Sequence, residues 1–231
     1  MKFFNDVIEC FANGKYLSSM MDGLWLTFII SLGATVVGLL LGTLVALVGL
    51  SKSKNPLMVI PRTICNIYVT IVRGTPMALQ LFIMAFVVFA IRGFPQWVTA
   101  IIAFGVNSGA YISENIRAGI LSVDIGQTEA GRALGLTSST TMMKIVIPQA
   151  IKNVIPSIGN EIIALIKETS IVSMIGMYDL TAAAKDIGGG QNLASYIAPM
   201  TVAALFYLVI VYALTFVVKN IERRLRSGDK R

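Results

Sequence analysis

The stretch SVDIGQTEAGRALGLTSSTTMMKIVIP, residues 122–148, decides how the rest of the chain is read. It is polar, yet the runs on either side of it are apolar enough for a membrane. Gln127, Glu129, Ala130, Arg132, Ala133 and Leu134 are mostly good helix formers, so residues 127–134 read as one short helix. Gly135 suits a left-handed cap behind it. Thr137 or Ser138 is placed to cap a second short helix running through Lys144 to Ile147, and Pro148 stops that helix or starts the next. Two short helices broken at a glycine make a compact protrusion. A protrusion between two membrane runs has a use when something outside the bilayer touches it.

Composition points the same way. The chain has 231 residues, 55% of them hydrophobic and 13% charged, whereas a soluble domain carries about 25% charged residues. The net charge of +7 fits loop lysines and arginines on one side of a membrane better than a nucleic-acid surface. Two cysteines, Cys10 and Cys65, make no disulfide framework. With no histidine, His-based zinc sites and Ser-His or Cys-His catalysis are excluded. No GxxxxGK[ST] occurs, so the chain holds no phosphate-cradling loop of that kind.

Outward from the polar stretch, apolar runs alternate with polar breaks. Residues 1–22 carry Asp6 and Glu9, lack a signal-peptide core and read as an exposed lead-in, with at most an amphipathic turn. Residues 24–50 are uncharged and long enough to span, and Gly38 and Gly42 form a small-xxx-small pair for close helix approach. The basic turn 51–55, with Lys52 and Lys54, lies in the cytoplasm by charge bias, which puts the N-terminus outside. Residues 57–91 form one kinked helix or two. Thr75 is the expected N-cap and Pro76 the first turn of its outer part. Spans over 93–113, 150–175 and 193–218 follow, with a polar, glycine-rich outer loop at 178–192 and a basic cytosolic tail at 221–231. Five transmembrane helices with the N-terminus out and the C-terminus in satisfy the charge bias.

Glu129-Ala130-Gly131, three residues, Gly135, nine residues, Ile145, one residue, then Ile147-Pro148 resembles the EAA loop of ABC importer permeases, E-A-A-x3-G-x9-I-x-L-P. Gly131 and Ile147 depart from it mildly. Arg73, Gly74, Thr75 and Pro76 with Gln80 are similar to the RGTPxxxQ signature of the polar amino-acid permeases. So are Tyr111-x-x-Glu114-x-x-Arg117, Pro148-Gln149-Ala150, and Asn160-Glu161 followed by Lys167-Glu168-Thr169-Ser170. The resemblance implies an all-α type I ABC importer transmembrane domain over residues 23–220. Residues 122–148 would be its cytosolic coupling segment, in which Glu129, Ala130, Gly131, Arg132, Leu134 and Gly135 meet the ATPase. It also implies a cytosolic ATPase dimer that binds ATP and magnesium, a second permease subunit (an identical or a related chain), an extracytoplasmic substrate-binding protein and a polar amino acid as cargo. This chain would hold no cofactor and catalyse nothing itself.

The intramembrane polar residues are the candidate pathway. Asn107, Tyr111 and Glu114 recur at i, i+4 and i+7 on one helical face. Asn160 and Glu161 lie well inside the 150–175 span, where a carboxylate is costly unless it meets water, a partner or a ligand. Arg73 reads as a topological or ATPase-side residue. The competing reading is a self-sufficient ion-coupled carrier or channel that relays ions through Glu161 and Glu114. An intramembrane enzyme finds no constellation to support it.

Overall fold

The computed structural model describes residues 2–51, 55–190 and 195–227, with side chains through 225. Lys52, Lys54, Lys230, Arg231, Asn192 and Leu193, used above for topology and boundaries, lie outside the described residues. Within them the regular structure is entirely helical: α1 Lys2–Ala12, α2 Gly14–Leu50, α3 Val59–Gly74, α4 Met77–Ile83, α5 Gln96–Leu121, α6 Ile125–Ala133, α7 Ser138–Thr141, α8 Ile147–Glu168, α9 Leu180–Gly189 and α10 Ile197–Ser227. Of the described helices, three segments are both long and apolar enough to cross a bilayer: Gly14–Leu50, Pro56–Gly74 and Ile197–Leu225. α5, with 26 residues, and α8, with 22, have the length but carry polar and charged side chains along it.

Several boundaries differ from the sequence reading. The lead-in is α1 plus the first turns of α2; α1 buries Cys10 while exposing Phe4, Ile8 and Phe11. The 57–91 region is two helices. Pro76, not Thr75, is the N-cap of α4, because Thr75 has ended α3 and its hydroxyl donates to the Ile71 carbonyl at 2.9 Å. The polar loop read over 178–192 contains α9, whose N-terminus Asp179 caps by accepting from the N–H groups of Thr181 and Ala182 at 3.1 and 3.0 Å. The sequence hid this helix behind three glycines and a threonine. α8 ends at Glu168; a 3-10 stretch, Thr169–Ile175, follows and stops at Gly176, whose φ of 84° favours glycine.

The chain forms two compact units. The first comprises residues 1–36, 76–105 and 162–214. One of its cores joins Cys10, Met20 and Leu24 to Leu180, Ala183 and Ala184 of α9 and Val202 of α10. A second joins Ile30 and Ala34 to Leu81, Phe104, Leu165 and Val172. Gly23 lets α2 approach α9 so closely that an added Cβ would lie 2.6 Å from the Asp179 carbonyl carbon. The second unit comprises residues 37–75, 106–161 and, of the described residues, 215–227, and holds the polar stretch 122–148. The partner of the Gly38–Gly42 pair is α5 of the same chain: a Cβ at Gly42 would lie 2.7 Å from the Gly109 carbonyl oxygen. Tyr68 of α3 donates to the Val106 carbonyl at 2.6 Å on α5.

Candidate functional site

The segment expected to couple, residues 122–148, begins where Asp124 caps α6 by accepting from the Gly126 N–H at 2.7 Å. α6 runs Ile125–Ala133, close to the helix read over 127–134, and Leu134 is its C-cap. Gly135 follows with φ 80°, the left-handed conformation that lets the chain reverse. Thr137 caps α7 by accepting from the Thr140 N–H at 3.2 Å. The second short helix differs from expectation: α7 ends at Thr141, and a π-helical turn, Met142–Val146, carries the chain into α8, so Pro148 sits inside a continuous run.

The two short helices pack through Gly131. An added Cβ there would lie 2.7 Å from the Thr141 methyl and 3.2 Å from Ile145. The third alanine of the usual pattern is therefore a glycine because there is no room for a methyl group. Arg132 donates to the Ser138 hydroxyl at 2.9 Å, bracing the turn. Glu129 and Ala130 are exposed, and Leu134 is 80% and Ile125 73% exposed. A hairpin braced inside, with a bare aliphatic side chain at its tip (Leu134) and another at its base (Ile125), is a surface built for contact.

The polar face of α5 is the second constellation. Asn107 is buried, and Tyr111 and Glu114 are half-buried. Glu114 accepts from Arg117 in bidentate fashion, at 3.0 Å to Nε and 2.8 Å to Nη2. Arg73 of α3 lies 3.6 Å from the same carboxylate and stacks over the Tyr111 ring with its guanidinium carbon 5.2 Å from the centroid. The structure thus brings Arg73 to the pathway candidates Tyr111 and Glu114, which its place beside a glycine-proline break did not suggest. Arg117, from the Tyr111-x-x-Glu114-x-x-Arg117 motif, completes the cluster. Gly74, Thr75 and Pro76 are exposed at the break between α3 and α4, and Gln80 is half-buried in α4. Asn160 is exposed and Glu161 half-buried on α8.

The described geometry meets a family pattern. Residues 38–227 match the model of the binding-protein-dependent transport system inner membrane component. The chain belongs to that family. The permease is 39% identical over 212 residues to the arginine transport system permease protein ArtQ of Bacillus subtilis (strain 168), covering 91% of this chain and 94% of that one. It is 38% identical over 207 residues to the L-cystine transport system permease protein TcyB of the same organism, covering 89% and 86%. Among solved structures, an amino acid ABC transporter crystallised with histidines superposes with a TM-score of 0.83 at 36% identity, covering 91% of this chain and 95% of that chain. The MetNI methionine ABC transporter in an inward-facing form shares the fold, with a TM-score of 0.73 at 19% identity. The protein is an ABC importer permease, an all-helical inner-membrane component of a transport system.

Proposed function

We propose that this permease forms the translocation pathway of an ATP-driven importer of polar amino acids and is moved by a separate cytosolic ATPase dimer through residues 122–148. The observation that carries the reading is the braced, exposed hairpin of α6 and α7, with Glu129, Ala130, Leu134 and Gly135 at its surface and Gly131 and Arg132 holding it together. The chain has no ATP-cradling loop, so ATP and magnesium belong to the partner. The hairpin joins α5 to α8, so force applied to it reaches both helices and shifts a two-state equilibrium of the spans. The pathway is completed by a second permease subunit, identical or related, and an extracytoplasmic binding protein delivers the cargo.

In this reading five helical segments cross the bilayer. α5 and α8 are two of them, polar because they face the pathway. The N-terminus is outside and the C-terminus inside. Residues 23–220 form the transmembrane domain, 1–22 the outer lead-in and 221–231 the cytosolic tail. The cargo is a zwitterion at physiological pH. Arg73 takes its carboxylate and Glu114 its ammonium group, with Tyr111, Asn107, Asn160 and Glu161 along the route. The names of the relatives, with arginine and cystine as cargo, support the amino-acid class.

Purified permease, ATPase and binding protein reconstituted in liposomes test this. Uptake of labelled arginine, glutamine or cystine is expected to require ATP and to survive collapse of ion gradients. Uptake that follows a gradient and ignores ATP overturns it in favour of the ion-coupled carrier.

A further inference from the structure

The last helix carries a face that neither the pathway nor the coupling hairpin uses. Along α10, Leu205, Leu208, Tyr212, Phe216, Lys219 and Arg223 follow one another at steps of three or four residues, so they share one side of the helix. All six are exposed, Tyr212 by 75% and Phe216 by 62%. A different side of α10 is the one that packs: an added Cβ at Gly159 of α8 would lie 2.7 Å from a Val218 methyl.

The stripe changes character at one level. From Leu205 to Phe216 it is apolar, and that length of helix rises about 17 Å. One leaflet of the hydrocarbon core is about 15 Å deep, half of about 30 Å. Lys219 and Arg223 come next, where a span leaves the hydrocarbon. Among the described residues neither is paired with a carboxylate. A second copy of this chain does not suit such a face. A two-fold axis along the membrane normal would set Lys219 against Lys219 and Arg223 against Arg223, like charges at equal depth. An anionic phospholipid does suit it. Its phosphate meets the guanidinium fork of Arg223 and the point charge of Lys219, and its acyl chain runs along Phe216, Tyr212 and Leu208.

We propose that this face of α10 is a site for one anionic phospholipid, in the cytoplasmic leaflet on the topology proposed above. Val218 seats α10 on α8 beside the two cations, so the bound lipid also stabilises the packing of these helices. For the test, the full-length chain is purified in mild detergent with the subunits it retains and mixed with equal amounts of phosphatidylglycerol and phosphatidylcholine. Mass spectrometry of the intact assembly counts the lipids kept. Wild type is expected to keep one phosphatidylglycerol per copy of the chain, in several-fold preference to phosphatidylcholine. Lys219→Gln combined with Arg223→Gln should lose that preference, and Lys219→Arg should keep it. Arg223→Gln and Arg224→Gln remove the same charge from neighbouring positions, but only Arg223 is on the stripe, so only its loss should lower the preference. Added phosphatidylglycerol should raise the thermal midpoint of wild type by several degrees and leave that of the double variant unmoved, the two midpoints being equal in phosphatidylcholine alone. Absence of any preference in wild type overturns the proposal. An equal loss from Arg223→Gln and Arg224→Gln also does, because the attraction is then diffuse. So does cross-linking of Tyr212→Cys between two copies in the membrane above the level of the parent chain, because the face is then a contact between copies. Lipid retention in detergent depends neither on orientation in the membrane nor on ATP, so its failure is distinct from failure of the topology or of the importer reading.

Discussion

Glu114 is shared between two arginines, and that sharing makes it the most informative single side chain. Glu114→Gln removes the charge that Arg73 and Arg117 both face, and with it the proposed partner for an ammonium group. Apparent KM for cargo in reconstituted uptake should rise about tenfold, the factor that about 1.4 kcal/mol gives. Cargo affinity of the isolated binding protein should stay unchanged. Equal KM in variant and wild type would remove Glu114 from the pathway. Asp179 makes a different point. Its carboxyl is fully buried at the N-terminus of α9; burial pushes it above its ordinary value of 3.8, against the pull of the Ala182 and Thr181 N–H groups. Asp179→Ala loses a cap and should cost about 1 kcal/mol, whereas Asp179→Asn keeps an acceptor and should cost less. A raised folded value means the contribution is fullest below the unfolded value and is lost as pH rises through the folded one. The thermal midpoint of wild type should therefore gain on that of Asp179→Asn as pH falls towards the ordinary carboxyl value of 3.8. The Arg73–Glu114 contact was not legible in the sequence, because no periodicity links residues on separate helices. Glu114 itself was legible, as a carboxylate on the same face as Tyr111 and Asn107.

At the scale of the element, the coupling hairpin separates two kinds of residue. Leu134 is exposed and touches little of its own chain, so Leu134→Asp should leave the thermal midpoint of the permease unchanged and abolish co-purification with the ATPase. Retained co-purification would show that the tip is not the contact. Gly131→Val should do the reverse, destabilising the hairpin by about 1–3 kcal/mol through overpacking against Thr141 and Ile145. Ala130→Pro, which breaks α6, should leave ATP hydrolysis running while uptake stops. The first helix of the hairpin was readable because capping and propensity agree there. The second was misjudged because its end is a π-helical turn that merges with α8, and side-chain pattern does not distinguish five-residue spacing from four. α9 escaped for a related reason: its glycines and alanines resemble a loop, yet their smallness lets the helix bury Ala183 and Ala184 completely.

For the whole molecule, the apolar runs over 24–50 and 193–218 were legible from uncharged length alone, and α2 and α10 carry them; α3, which holds Arg62 and Arg73, was not legible that way. The expected spans over 93–113 and 150–175 fall on α5 and α8, whose polar and charged side chains hydropathy alone cannot tell from those of a surface helix. The predicted topology is checked by reacting single cysteines with a membrane-impermeant thiol reagent in intact cells: Ile91→Cys should react from outside and Leu134→Cys only after permeabilisation. The opposite pattern would invert the protein and detach the hairpin from any cytosolic ATPase. The glycine contact of α2 on α5 carries a further consequence, for insertions. One residue added between Gly38 and Gly42 would turn the helix by about 100° and set Leu41 where Gly42 meets the Gly109 carbonyl. An insertion of four residues overshoots a full turn by only about 40° and brings a near-original face back into register. Length changes in α2 should thus be tolerated in steps of a helical turn, so its phase is under tighter restraint than its length.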